Sequence, residues 1–170
     1  HLFKSVKGIE LNEFPHMTFD EAMNSYGCDK PDLRFGMKFV ELTSIAKGMG
    51  FGVFDNAEYI GAICAKSCSE YSRKDLDALT EFVKKPQIGA TGLIYVKCNT
   101  DGTFKSSVDK FFDGDQLAGW AKQCHAKAGD LILVLAGPKK KTLNALCELR
   151  LEMGTRLGLR DKNVFAPLWV

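Results

Sequence analysis

Apolar residues recur at helical spacing in several stretches of this chain and fill unbroken runs in others, and the two patterns predict its elements. Leu2 to Lys7, closed by Gly8, reads as the last turns of a helix with a glycine stop. Such a helix implies a chain cut from something longer. Thr18-Phe19-Asp20-Glu21 has the spacing of a capping box, with Phe19, Ala22, Met23 and Tyr26 as an apolar stripe and Gly27 as the stop. Lys30 precedes Pro31 and is pushed out of the helical region, which makes Asp29 to Arg34 an extended loop bearing two acids and two bases.

From Lys38 the pattern shortens. Phe39 to Leu42 predicts a strand, Thr43 to Lys47 a single helical turn, Phe51 to Phe54 a second strand after a Gly-rich bend, and Tyr59 to Ala65 a buried third. Gly48, Gly50 and Gly52 lack the Lys-Ser/Thr of a phosphate loop and mark a turn. Ser72 is placed to cap the nitrogen of Asp75, and Leu76, Leu79, Phe82 and Val83 keep helical spacing until Pro86 forbids continuation. Gly92 to Lys97 reads as a strand and Asn99 to Gly102 as a turn. Asp115 to Ala126 reads as a helix burying Leu117, Trp120, Ala121 and Cys124. Leu131 to Ala136 is apolar throughout, the mark of a central strand covered on both faces or of one very well protected. Pro138 starts a last helix with Leu143, Leu146, Leu149 and Met153 inward, and Gly158 ends it. Loose alternation and short connections favour an α+β domain with a mainly antiparallel sheet in two layers.

With 170 residues, 45% hydrophobic and 26% charged, the chain is long enough to bury a core of its own. A net charge of +2 is too small to argue for nucleic acid or a membrane, so any RNA contact has to be local. No apolar run approaches the roughly 20 residues of a spanning helix. His1-Leu2-Phe3-Lys4 lacks the layout of a signal peptide, so a soluble, cytoplasmic protein is expected. The six cysteines sit in apolar patterns and read as reduced, buried thiols. Cys64, Cys68, Cys124 and His125 could supply four zinc ligands, but without a tight Cys-x-x-Cys knuckle no metal site is assigned. His1, His16 and His125 have no nucleophile or carboxylate at a useful spacing, so no catalytic residue is assigned; Cys124 is taken as core and His125 as surface.

Two segments carry a resemblance. Ser25-Tyr26-Gly27-Cys28-Asp29-Lys30-Pro31-Asp32-Leu33-Arg34-Phe35 and the stretch from Leu157-Gly158-Leu159 to Leu168-Trp169-Val170 resemble the runs that lead into and out of an inserted domain in bacterial-type aspartyl-tRNA synthetases of class II, with Cys28 where that family usually has Ser. Ser72 to Asp77 and Leu149-Arg150-Leu151 agree; Ile63 to Ser69 departs from a Val-Pro-Gly-Gly-like bend found in many members. The resemblance implies a GAD domain, a β-β-α-β-β-α unit with helices on one face of the sheet. It implies a division into a flank from the catalytic domain at 1–36, the inserted domain at 37–158 and a return segment at 159–170. The parent would activate aspartate with ATP and magnesium and pass it to tRNA, as a homodimer. The class II arginine motifs are missing here, and Gly154-Thr155-Arg156 falls in a helix without a Gly-rich strand, so this chain alone is expected to be a non-catalytic, monomeric positioning or acceptor-side domain with no cofactor of its own. Its partners would be the rest of the synthetase and, through it, tRNA. The alternative is a free-standing RNA-binding or protein-interaction module without ligase activity.

The candidate contact residues follow from charge and place. Asp29, Lys30, Asp32 and Arg34 match the family run beside the catalytic core; they either brace the domain against that core or tRNA, or form an internal salt-bridged connector. Lys139, Lys140 and Lys141 stand against the macrodipole at the start of a helix, where an RNA phosphate could dock or the lysines could simply be solvated. Lys110, in the segment before the Asp115 helix, is a further RNA candidate.

Overall fold

The computed structural model describes residues 14–170. The helix expected at Leu2 to Lys7, with His1, lies outside them. Helix α1 (Phe19–Tyr26) starts where the sequence places it: Thr18 Oγ1 accepts from the Glu21 amide, the Glu21 carboxylate accepts from the Thr18 amide, and Gly27 ends the helix at φ +76°. Ala22 and Tyr26 are buried, but Phe19 is 59% exposed and leaves the expected stripe.

A two-residue strand β1 (Val40–Glu41) is followed by helical turns α2 (Thr43–Ala46) and α3 (Gly52–Asp55) and by strand β2 (Tyr59–Ala65). The strand expected at Phe51 to Phe54 is therefore a helical turn. The Asp55 carboxylate accepts from the amides of Gly48 and Gly50 and closes the loop back on itself, while Phe51 and Phe54 turn inward onto Phe112, too tightly wound for an extended run. Helix α4 (Arg73–Lys84), capped by Ser72, leads to the hairpin β3 (Ile94–Cys98) and β4 (Phe104–Ser106). Helix α5 (Gly114–Gln123), capped by Asp113, is shorter than expected because the chain turns at His125 with φ +48°. Strand β5 (Leu131–Gly137) and helix α6 (Lys139–Arg156) complete the order, and Gly158 follows at φ +66°.

The sheet runs β1-β2-β5-β3-β4 with every neighbouring pair antiparallel, so the α+β class and the antiparallel sheet are those expected. The expected two layers with helices on one face are in fact three. Ile60, Ala62, Cys64, Ile132 and Val134 face Leu42, Ala46, Phe54, Leu117 and Trp120 on α2, α3 and α5 and their approaches. Tyr59, Ile63, Ala65, Leu131, Leu133 and Leu135 face Leu76, Leu79, Leu143, Leu146 and Met153 on α4 and α6. The cause lies in β2 and β5, whose central residues are apolar on both sides of the pleat and leave neither side fit for water. Among the described residues no helix is long and apolar enough to cross a membrane.

Candidate functional site

The site is a junction where the incoming segment, residues 14–39, meets the outgoing one, residues 157–170. Their far ends pair as a short parallel bridge: the Met17 amide donates to the Trp169 carbonyl and the Trp169 amide to the Pro15 carbonyl, each at 2.9 Å, with His16 opposite Trp169. Nearer the domain, the Phe39 amide donates to the Ser25 carbonyl at 2.9 Å and folds the incoming segment into a loop.

That loop is held by arginines. Arg34 lies along the Asp32 carboxylate, with Nε on Oδ1 at 2.9 Å and Nη2 on Oδ2 at 2.7 Å, while its Nη1 donates to the Asp161 carbonyl at 2.7 Å. Arg160 Nε reaches the same carboxylate at 3.3 Å. Asp32 thus ties the two segments together, and the Arg34 hydrogen bonds hold its carboxyl at about 2, below the usual carboxylate range. A cleft of about 530 Å³ lies beside this clasp, lined on its apolar side by Phe14, Leu33, Val164 and Pro167.

Beneath the clasp, Arg150 of α6 is 1% exposed and, among the described residues, its side chain is bonded by carbonyls rather than by a carboxylate. Its Nη2 donates to the carbonyls of Asp32, Phe35 and Gly36 at 2.8 Å each, and its Nε to those of Gly36 and Met37 at 3.2 and 3.1 Å. The guanidinium lies 4.0 Å from the centre of the Phe35 ring and 4.8 Å from that of Tyr26. Four carbonyls can converge on one group only because the loop curls, and Met37 adopts φ +65° to close it, a conformation costing a non-glycine residue about 1 kcal/mol. Burial lowers the Arg150 pKa, while the carbonyls supply the partners a buried cation requires. Leu149-Arg150-Leu151 agrees with the family resemblance but reads otherwise as an ordinary stretch of amphipathic helix, so no role is assigned to Arg150 from sequence; the physical signal is that it falls on the inward stripe, one residue from Leu149 and three from Met153.

The remaining candidates are dispersed. Asp29 and Lys30 are exposed on the loop, away from the clasp that takes Asp32 and Arg34. Lys110 is exposed on the turn before α5. Lys139, Lys140 and Lys141 are exposed at the start of α6, but the Lys139 amide donates to Glu58 Oε2 at 2.9 Å, so a carboxylate of the chain already sits at that helix end. Lys139 Nζ also stands 5.9 Å from the centre of the Tyr59 ring. Gly154, Thr155 and Arg156 lie inside α6, with Arg156 paired to Glu152 at 2.7 Å.

Cys64, Cys98 and Cys124 are buried in the core, and His125 is exposed. Burial pushes the Cys64 and Cys98 thiols up to about 11 and that of Cys124 to about 12, far from nucleophilic use. Beside them, buried Asp130 accepts from the Lys127 and Ser67 amides at 2.8 and 3.0 Å and from Lys66 Nζ at 2.9 Å. Burial acts to raise the Asp130 pKa, but these donors keep it below its ordinary value. Among the described residues no group of three or more His, Cys, Asp or Glu side chains is placed to hold a metal.

The model of the GAD domain matches residues 52–146. Over its whole length the chain is 62% identical to a protein of Bacteroides fragilis named aspartate–tRNA ligase, and 58% and 55% identical to proteins of the same name from Flavobacterium psychrophilum and Porphyromonas gingivalis. It spans 29% of the length of each of these relatives.

Proposed function

Because the chain belongs to the GAD domain family, we propose that it is the inserted domain, with its flanks, of an aspartate–tRNA ligase, and that its own task is to position rather than to catalyse. The parent activates aspartate with ATP and magnesium and transfers it to tRNA in the cytoplasm, as a homodimer. The observation that carries this reading is the junction. Residues 15–17 and 169 lie side by side, so the chain comes and goes at one place, as an insertion must. Residues 1–36 and 159–170 then belong with the catalytic domain and 37–158 with the insertion.

The arginines of the junction do not fit ATP and magnesium. Arg34, Arg150 and Arg160 are engaged by the Asp32 carboxylate or by carbonyls, and among the described residues no acidic cluster stands beside them, so no step of activation runs through these groups. Asp32 and Arg34 serve as the brace between the segments. Asp29 and Lys30 on the exposed face of the loop, with Lys110 and Lys139 to Lys141, are left to meet the catalytic core or tRNA phosphates.

The test uses the full-length protein. Aspartate-dependent exchange of pyrophosphate into ATP and charging of tRNA are both expected, and absence of the exchange overturns the assignment. Replacing Lys139, Lys140 and Lys141 together by Gln is expected to weaken tRNA binding and to flatten its dependence on salt. An unchanged salt slope removes these lysines from the interface.

A further inference from the structure

We propose that Arg150 is a positioning residue: it locks the incoming segment to helix α6 and so sets how the domain stands against the rest of the ligase when tRNA docks. This rests on the functional reading above. From Gly27 to Phe39 the incoming segment has no regular secondary structure to fix its path over the domain. Yet carbonyls from residues 32 to 37 converge on one guanidinium carried by the domain's longest helix. These residues straddle the boundary at 36 and 37, so the lock crosses from flank to insertion.

The type of side chain matters. A guanidinium is a rigid planar fork with five N–H donors, and here it stands over the rings of Tyr26 and Phe35. The Phe35 ring in turn lies against Gly154, one turn further along α6, where a Cβ would come within 2.6 Å of the ring. An apolar side chain would fill the same space without the cost of burying a charge, so the cation secures one arrangement of the loop rather than adding bulk stability. Asp32 extends the lock: its carbonyl accepts from Arg150, and its carboxylate accepts from Arg34 and Arg160. Incoming loop, outgoing segment and α6 therefore move together.

The experiment compares full-length wild type with Arg150→Lys, which keeps the charge but loses the fork. Pyrophosphate exchange is expected to be unchanged, KM for tRNA to rise by about tenfold or more, and amide hydrogen exchange to quicken over residues 28–38 while β2 and β5 stay protected. Unchanged tRNA kinetics with quickened loop amides overturns the proposal, and so does equal loss of adenylate formation and charging. Should the variant fail to fold, Phe35→Leu removes one stacking plane and leaves every carbonyl acceptor, with the same outcomes expected. Absence of exchange in wild type indicts the ligase assignment instead, and the hydrogen-exchange comparison still reads the lock: unaltered loop amides in the variant sink it.

Discussion

Two glycines inside helices should respond oppositely to the same change. Gly119 lies in α5 on an exposed face, and a Cβ there would meet nothing within 4 Å. Gly119→Ala is expected to stabilise the chain by about 0.8–1.0 kcal/mol, the difference in helix propensity. Gly154 lies in α6, and a Cβ there would come 2.6, 2.9 and 3.0 Å from three atoms of the Phe35 ring. The ring has to retreat by most of an ångström, and its other face is held against Arg150 at 4.0 Å. Overpacking of this kind costs about 1–3 kcal/mol, so Gly154→Ala should be destabilising by about 1 kcal/mol net of the same propensity gain. The assay is equilibrium urea unfolding of the 170-residue chain, with midpoints compared at constant slope. A Gly154→Ala midpoint above wild type, matching that of Gly119→Ala, would refute the claim that Phe35 is pinned between helix and guanidinium.

Asp32 sets a dependence on pH. Its carboxyl titrates at about 2 when folded against an ordinary 3.8, worth about 2 kcal/mol; the depressed value makes this contribution complete above about pH 4 and lost as pH falls through 2. Asp32→Asn should lose it at neutral pH and flatten that part of the acid-unfolding curve. Asp130→Ala takes the shared acceptor from the half-buried amides of Ser67 and Lys127 and should cost about 1–2 kcal/mol by urea unfolding, with Lys66 contributing little because it is largely exposed. Ser72→Ala removes the cap of α4 and should cost about 1 kcal/mol, seen as a lower thermal midpoint with no change in the native circular dichroism spectrum.

Elements whose signal is local could be read from sequence. The caps at Thr18 and Ser72 and the stop before Pro86 are short-range chemistry, and the all-apolar run of β5 announces its central place, covered on both sides. The same run argues against the two layers that the element order and the resemblance both imply. Elements fixed by distant partners were misread. Phe51 to Phe54 has the composition of a strand, but its backbone is wound by Asp55 and by an aromatic cluster that includes Phe112. Strand β4 is three residues long and exists only because β3 offers it an edge. The site divides in the same way: Asp32 and Arg34 announce themselves as neighbouring opposite charges, whereas Arg150 acquires its role from carbonyls more than a hundred positions away in the chain.

The meeting of residues 32 and 34 with residues 160 and 161, next to the two proposed boundaries of the inserted unit, bears on how such a module can be acquired. A recipient fold needs only a gap wide enough for two adjacent backbones, so grafting in the whole unit leaves the spacing of its own framework undisturbed.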